Sequence, residues 1–274
     1  MKAKVLFFSF ALFVFYVSTN AQLKKIFSSN QKPIKINLSN ELLEISGITS
    51  DEKGELFCHN DEQGIIYKLD IISGKITGKI FIGENSLPGD YEDIAYAHGY
   101  FYLLRSDGLL LKITKDKLGK NYFQLKTGLS IENNCEGLYF DEESNSLLIA
   151  CKGDPVSANK KFKEVYKFSL ANNKLDKQAF LKISLDKLKK GFGIKDFYPS
   201  AITKNKQTNT FYILSAKGKP AIIEIDSSSN ILDAILLEAK QHPKPEGLLI
   251  MKDKLFISDE GVSGRASISV YSSK

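Results

Sequence analysis

The chain has no tryptophan, two arginines (Arg105 and Arg265), three cysteines, three histidines and seven prolines among its 274 residues. Each shortage excludes something. Arginine carries much of nucleic-acid recognition, and the net charge of +6 falls to +4 once Lys2 and Lys4 of the leader are set aside (36 Lys and Arg against 32 Asp and Glu). That balance and an arginine-poor surface exclude a strong nucleic-acid binder. Seven prolines exclude a fibrous or proline-rich polymer. Three cysteines without a Cys-x-x-Cys pair exclude a disulfide scaffold and a thiolate zinc centre. Gly-x-Ser-x-Gly, His-Glu-x-x-His and the phosphate-binding loop are all missing, so the common hydrolase and nucleotide signatures are absent.

Long apolar runs are also missing, except at the start. Met1 to Lys4 is basic, Val5 to Val17 is almost wholly apolar, and Ser18-Thr19-Asn20-Ala21 ends on small residues. This is the three-part pattern of an export signal, removed between Ala21 and Gln22. The apolar run is shorter than the ~20 residues a spanning helix needs. No cysteine follows it to mark a lipoprotein. The expected mature chain, residues 22–274, is a single soluble domain without a transmembrane segment, periplasmic or extracellular, and monomeric.

What is present is a repeat. Ile45-Ser46-Gly47-Ile48, Tyr91-Glu92-Asp93-Ile94, Cys135-Glu136-Gly137-Leu138, Pro199-Ser200-Ala201-Ile202 and Pro245-Glu246-Gly247-Leu248 are versions of one phrase. Measured from Ser46 through Glu92, Glu136 and Ser200 to Glu246, the intervals are 46, 44, 64 and 46 residues. A polar turn and an apolar, often aromatic run follow each phrase, then a third run and usually a weaker fourth. Short β-branched and aromatic runs between Gly, Asn, Asp and Ser turns are strands in hairpins. Four strands per unit near a 45-residue period predict an all-β fold, a five-bladed β-propeller of antiparallel blades. The last copy has only three strands, and Pro33 to Leu38 supplies its fourth, closing the ring and removing two open edges. The long interval holds a lysine-rich insertion at Gly153 to Glu164 and a short helical turn at Asp186 to Gly191.

Propeller topology brings the start of each first strand and the end of each second strand to one mouth of the central channel. The phrase positions Ser46, Glu92, Glu136, Ser200 and Glu246 face that channel. Three glutamates in a narrow space either gain protons, or pair with Arg105, Lys152 and Lys217, or share a cation. Oxygen ligands without a thiolate or histidine favour calcium over zinc, with Glu92, Glu136 and Glu246 as metal candidates. Further ligand-binding candidates at the mouth are His59, Asp61, Asp93, Arg105, Lys152, Lys217, Asp259 and Glu260. His59 closes a second strand, whereas His98 and His242 fall in turns and are expected in solvent. The odd cysteine count leaves one thiol over. Cys135 and Cys151 flank one hairpin, as a disulfide or as two buried thiols.

The phrases Asn60-Asp61-Glu62, Tyr91-Glu92-Asp93, Cys135-Glu136-Gly137-Leu138 and Pro245-Glu246-Gly247-Leu248, with Phe256-Ile257-Ser258-Asp259-Glu260, resemble the SdiA-regulated family over nearly the whole mature chain. The resemblance implies a five-bladed propeller related to NHL-repeat propellers, an envelope location and a shared calcium site, and it implies no defined activity. Glu92, Glu136 and Glu246 are the matching acids. Two functions follow as expectations. One is a calcium-binding envelope module that takes a small ligand or an envelope protein at the mouth. The other is a calcium-dependent hydrolase, lactonase or phosphoesterase, at the same mouth.

Overall fold

The computed structural model describes residues 22–28, 32–84, 86–114, 121–262 and 264–272, so residues 1–21, where the sequence leads one to expect an export signal, lie outside the described residues. Five antiparallel sheets surround a central axis, each ordered from an inner to an outer strand. The inner strands are Ile45–Ser50, Tyr91–Ala97, Cys135–Asp141, Pro199–Asn205 and Pro245–Met251, one per blade, numbered here 1 to 5. Each inner strand touches the next, and that of blade 5 touches that of blade 1, so the ring is closed.

The closure is the one the repeat requires. Ile34–Asn37 pairs with Ser267–Ser272 as the outer strand of blade 5, in the register Ile34 with Val270 through Asn37 with Ser267. Chain start and chain end therefore share one sheet. Blade 3 departs from the common plan. Its third strand, Phe162–Ser169, begins before Val165, so the insertion is shorter than expected. Its outer strand comes in two pieces, Lys174–Leu175 and Leu181–Ser184, which both pair with that third strand. A helix of two turns, Leu185–Phe192, follows. Ser184 caps it by accepting from Lys187 N at 3.3 Å, and Gly193 ends it in the left-handed region.

Alternation puts apolar side chains on both faces of every blade, and they meet the neighbouring blade rather than a common centre. Five apolar clusters result, one at each junction. Blade 1 meets blade 2 through Phe57, Ile66, Ile94 and Phe101, and blade 5 meets blade 1 through Ile48, Tyr67, Phe256 and Ile268. Each fully buried Ile, Leu or Phe contributes roughly 1.5–3 kcal/mol, so the junctions hold the disc together. The junction of blades 4 and 5 has an added piece, the helix Gln22–Ser28, which inserts Leu23 and Ile26.

The candidate cation site at the channel mouth

Every inner strand carries a β-bulge at its phrase. Pairing with the second strand jumps from Tyr91 to Asp93, from Cys135 to Gly137, from Pro199 to Ala201, from Pro245 to Gly247 and, over a wider gap, from Ile45 to Ile48. The skipped residues are Glu92, Glu136, Ser200, Glu246 and, in the first blade, Ser46 with Gly47. A bulge re-aims a side chain, and here it does so five times at one level. The small residue of the phrase has a steric cause. A Cβ at Gly47 would collide with the Asp93 carboxylate, and one at Gly247 with the Ser258 hydroxyl.

Two further rings surround the first. The second strands end at Asn60, Arg105, Cys151, Ser215 and Asp259, and one step past them stand Asp61, Ser106, Lys152, Ala216 and Glu260. The residues two positions before each phrase slot are Glu44, Asp90, Asn134, Tyr198 and Lys244. Backbone bonds tie these rings in four blades: Asp61 N to Glu44 O (3.3 Å), Ser106 N to Asp90 O (3.1 Å), Lys152 N to Asn134 O (2.8 Å) and Glu260 N to Lys244 O (3.0 Å). In blade 4 the Ser215 hydroxyl accepts from Tyr198 N instead, at 2.9 Å. The three rings together hold seven carboxylates and two ammonium groups.

The electrostatics follow from that imbalance. Burial, then the Glu136 and Asp90 charges, raise Glu92 to about 9. Burial, Glu260 and Glu136 raise Glu246 to about 7. Burial raises Glu136, against the opposing pull of Lys152. Glu260 reaches about 7, through burial that outweighs its bond to Lys244, with Glu44 and Asp61 adding to the rise. Asp61 is raised by burial, Glu44 and Glu62, and its Oδ1 is buried without a partner among the described residues. Burial alone would lower Lys152, but the charge and hydrogen bond of Glu136, with Glu246 and Glu92, keep it raised.

The structure gathers some sequence candidates here and takes others away. Glu92, Glu136 and Glu246 share one field around Lys152, whose Nζ donates to Glu136 Oε1 at 2.8 Å; Asn134 Nδ2 donates to the same oxygen at 2.8 Å. Lys152 therefore supplies the countercharge that the sequence left open. The other two expected cations do not join it. Arg105 pairs with Asp107 at 2.7 Å, and Lys217 is exposed over the Tyr198 ring, 5.0 Å from its centre. Asp93 is a buried strut that accepts from Ile94 N (2.8 Å) and Leu138 N (2.6 Å), joining blades 2 and 3. Burial holds His59 near 4, against the bond to Asn60 that raises it. Its Nε2 accepts from Gly47 N (3.2 Å), so Nδ1 carries the proton toward Asn60 O (2.8 Å). With both nitrogens engaged and the side chain fully buried, His59 is not placed as a base at the mouth.

His242 corrects an expectation. It is 1% exposed rather than in solvent, with Nδ1 at 2.8 Å from Asp259 Oδ2 and Nε2 at 2.6 Å from the Tyr271 hydroxyl. Asp259 is thus turned into the blade 4–5 side and away from the mouth. His98 is exposed, as expected. Cys135 and Cys151 are register partners with free thiols 3.8 Å apart.

Whether these residues fit a calcium ion depends on the side of the mouth. Among the described residues, one group of acids offers three ligand atoms within 4.8 Å of one another: Glu44, Asp61 and Glu260. Glu92, Glu136 and Glu246 are not drawn together to that degree; Lys152 pairs with Glu136 on their side, as Lys244 pairs with Glu260 on the other. Glu44 went unnoticed in the sequence, although its place two residues before Ser46 matches those of Asp90 and Lys244 before their phrases.

No family model and no curated protein matches the chain. Solved structures do. The glutaminyl cyclase of Myxococcus xanthus is similar at 13% identity and a TM-score of 0.61, covering 88% of this chain and 94% of that one. A luciferin-regenerating enzyme aligns at 11% identity and TM-score 0.54, over 88% and 95% of the two chains. The PQQ-bound aldose sugar dehydrogenase of Streptomyces coelicolor aligns at 12% and 0.53, over 88% and 97%. At such identities the likeness carries the fold alone. The chain is a five-bladed β-propeller with an acidic channel mouth.

Proposed function

We propose that this protein is an exported calcium-binding propeller of the cell envelope that acts as a binding module at its channel mouth. The resemblance to the SdiA-regulated family implies the calcium site and the envelope location, and the binding role is inferred from the mouth itself. The observation that carries the reading is the imbalance at the mouth, seven carboxylates against two ammonium groups, with Glu92, Glu136, Glu246, Glu260 and Asp61 all raised. A hard cation relieves that repulsion, and all-oxygen donors suit calcium. Glu44, Asp61 and Glu260 would hold it, with Glu246 beside them and Lys152 serving the Glu136 side. A ligand reaching the mouth then meets a fixed positive centre inside an acidic rim.

Calcium at a hundredfold excess over its dissociation constant stabilises a native state by ~2.7 kcal/mol. Thermal unfolding with added calcium or chelator reads this as a rise of roughly 5–10 °C for a chain this size. Glu260→Gln and Asp61→Asn should each remove most of the rise, and Glu136→Gln should keep it. The reverse ranking would move the ion to the Glu92, Glu136 and Glu246 trio. A wild type indifferent to calcium would end the metal reading.

A further inference from the structure

The outer half of blade 4 holds an arrangement that the mouth does not use. Glu224 and Asp233 are register partners on adjacent strands, Ala221–Ile225 and Ile231–Leu236, and each is 1% exposed. Two carboxylates directly opposite each other repel, and burial strengthens the repulsion. What neutralises them comes from the helix Gln22–Ser28. Leu23 N donates to Glu224 Oε2 at 3.2 Å, and Lys24 Nζ lies 3.2 Å from Asp233 Oδ1. The remaining acceptors are used unevenly. Glu224 Oε1 accepts from Thr210 Oγ1 at 2.8 Å, and Asp233 Oδ1 also accepts from Ala234 N at 2.9 Å. Asp233 Oδ2 is buried and has no partner among the described residues. Among the described residues, these two buried acids thus face Lys24, whose side chain is 71% exposed.

The main-chain nitrogen of Gln22 stands one position before Leu23, about 3 Å away in helical geometry. With Leu23 N at 3.2 Å from Glu224 Oε2, it stands no more than about 6 Å from that oxygen. We infer that this pair is a receptor for the chain's own new amino terminus, and that removal of the leader after Ala21 completes the blade 4–5 junction. The step is a hydrolysis. Water adds across the Ala21–Gln22 peptide bond, Ala21 departs with a carboxylate, and the Gln22 nitrogen becomes an ammonium group. That ammonium brings a second positive charge to the two buried acids. Leu23, Ile26 and Phe27, whose ring lies 4.6 Å from that of Tyr271, hold the helix in place while the charge is delivered. The inference rests on the export-signal reading and is independent of calcium.

The test compares two full-length mature chains, one starting at Gln22 and one with Gly-Ser placed before it. The chain starting at Gln22 should melt about 2–6 °C higher near neutral pH. The gain should fade as pH rises through the amino group's pKa, which the acids hold above its ordinary ~7.7–8.0. A cation with a raised folded pKa stabilises below that value and loses the contribution above it. Cyclisation of Gln22 with loss of ammonia, followed by mass, removes the charge and should reproduce the extended chain. Asp233→Asn should abolish the difference between the two starts, and Glu224→Gln reads the same difference should that variant not fold. Equal melting of the two starts would overturn the inference. So would a difference that survives in both variants, or an exported protein whose terminus is not Gln22.

Discussion

Along each inner strand a polar position and an aliphatic position stand two residues apart, and the rings they form differ in kind. At the mouth, the bulged residues Ser46, Glu92, Glu136, Ser200 and Glu246 present polar groups in an acidic ring. Two positions further on stand the aliphatic side chains of Ile48, Ile94, Leu138, Ile202 and Leu248, one in each junction between blades and each no more than 4% exposed. Beyond them a cavity of about 360 Å³ opens at the far face, where Tyr96, Phe140 and His98 stand among its walls. The bulge makes the contrast. It breaks the regular alternation at one step, so a polar residue joins the axis without displacing the aliphatic ring beneath. The aliphatic ring serves stability. The mouth concentrates like charges at a cost to stability.

The largest break in that comparison comes from the aliphatic end. Ile202→Ala removes a side chain 1% exposed and packed in the junction of blades 3 and 4. It should cost about 2–5 kcal/mol in urea denaturation, whereas Glu92→Gln should be neutral or stabilising. Equal losses at the two ends would mean that the mouth acids act as structural struts.

A smaller effect separates the two sides of the mouth. Lys152→Met leaves Glu136, its side chain 5% exposed, without its ion pair. Since Lys152 itself is partly solvated, the expected cost is about 1–3 kcal/mol. Adding Glu136→Gln to Lys152→Met should restore most of it, because the stranded charge is then gone. A double variant as unstable as the single would show that the aliphatic stem of Lys152, and not its charge, is what matters.

The contrast between the ends also explains what the sequence revealed. The five-fold count, the closing strand at Pro33 to Leu38 and the channel-facing slots were legible because a repeat states the same geometry five times. Bulges were not, since Glu92 and Asp93 alternate no differently from an unbroken strand. The ring of Glu44, Asp90, Asn134, Tyr198 and Lys244 shares a position but no residue type, so only the register exposes it. His242 and Asp259 were misplaced for a related reason. A turn residue three positions before a phrase has no pattern of its own, and Tyr271, which buries the pair, lies near the far end of the chain. Lys152 and Lys217 close neighbouring hairpins, yet Lys217 stands one residue past Ala216, the equivalent of Lys152, and lies over the Tyr198 ring, while the slot of blade 4 holds Ser200 in place of glutamate.

The smallest effect concerns pH. Glu246 and Glu260 stand at about 7 and Glu92 at about 9, all raised chiefly by burial, against ~4.3 in the unfolded chain. In that window the native state holds protons the unfolded state has released, so raising the pH removes stability. Their contribution is complete below about pH 4.3; most of the Glu246 and Glu260 share is gone by pH 7, and that of Glu92 fades toward pH 9. Glu260→Gln keeps the shape without the titration. It should match wild type near pH 5 and exceed it by about 1 kcal/mol at pH 8, where solvent at the mouth keeps the effect modest. Ile202→Ala, at the aliphatic end, should lie below wild type by the same amount at every pH. Melting curves of the three proteins in chelator between pH 5 and 8 make the comparison. A Glu260→Gln curve parallel to wild type would place the titrating groups outside the mouth, and the acidic ring would then lose its claim to be the strained part of the molecule.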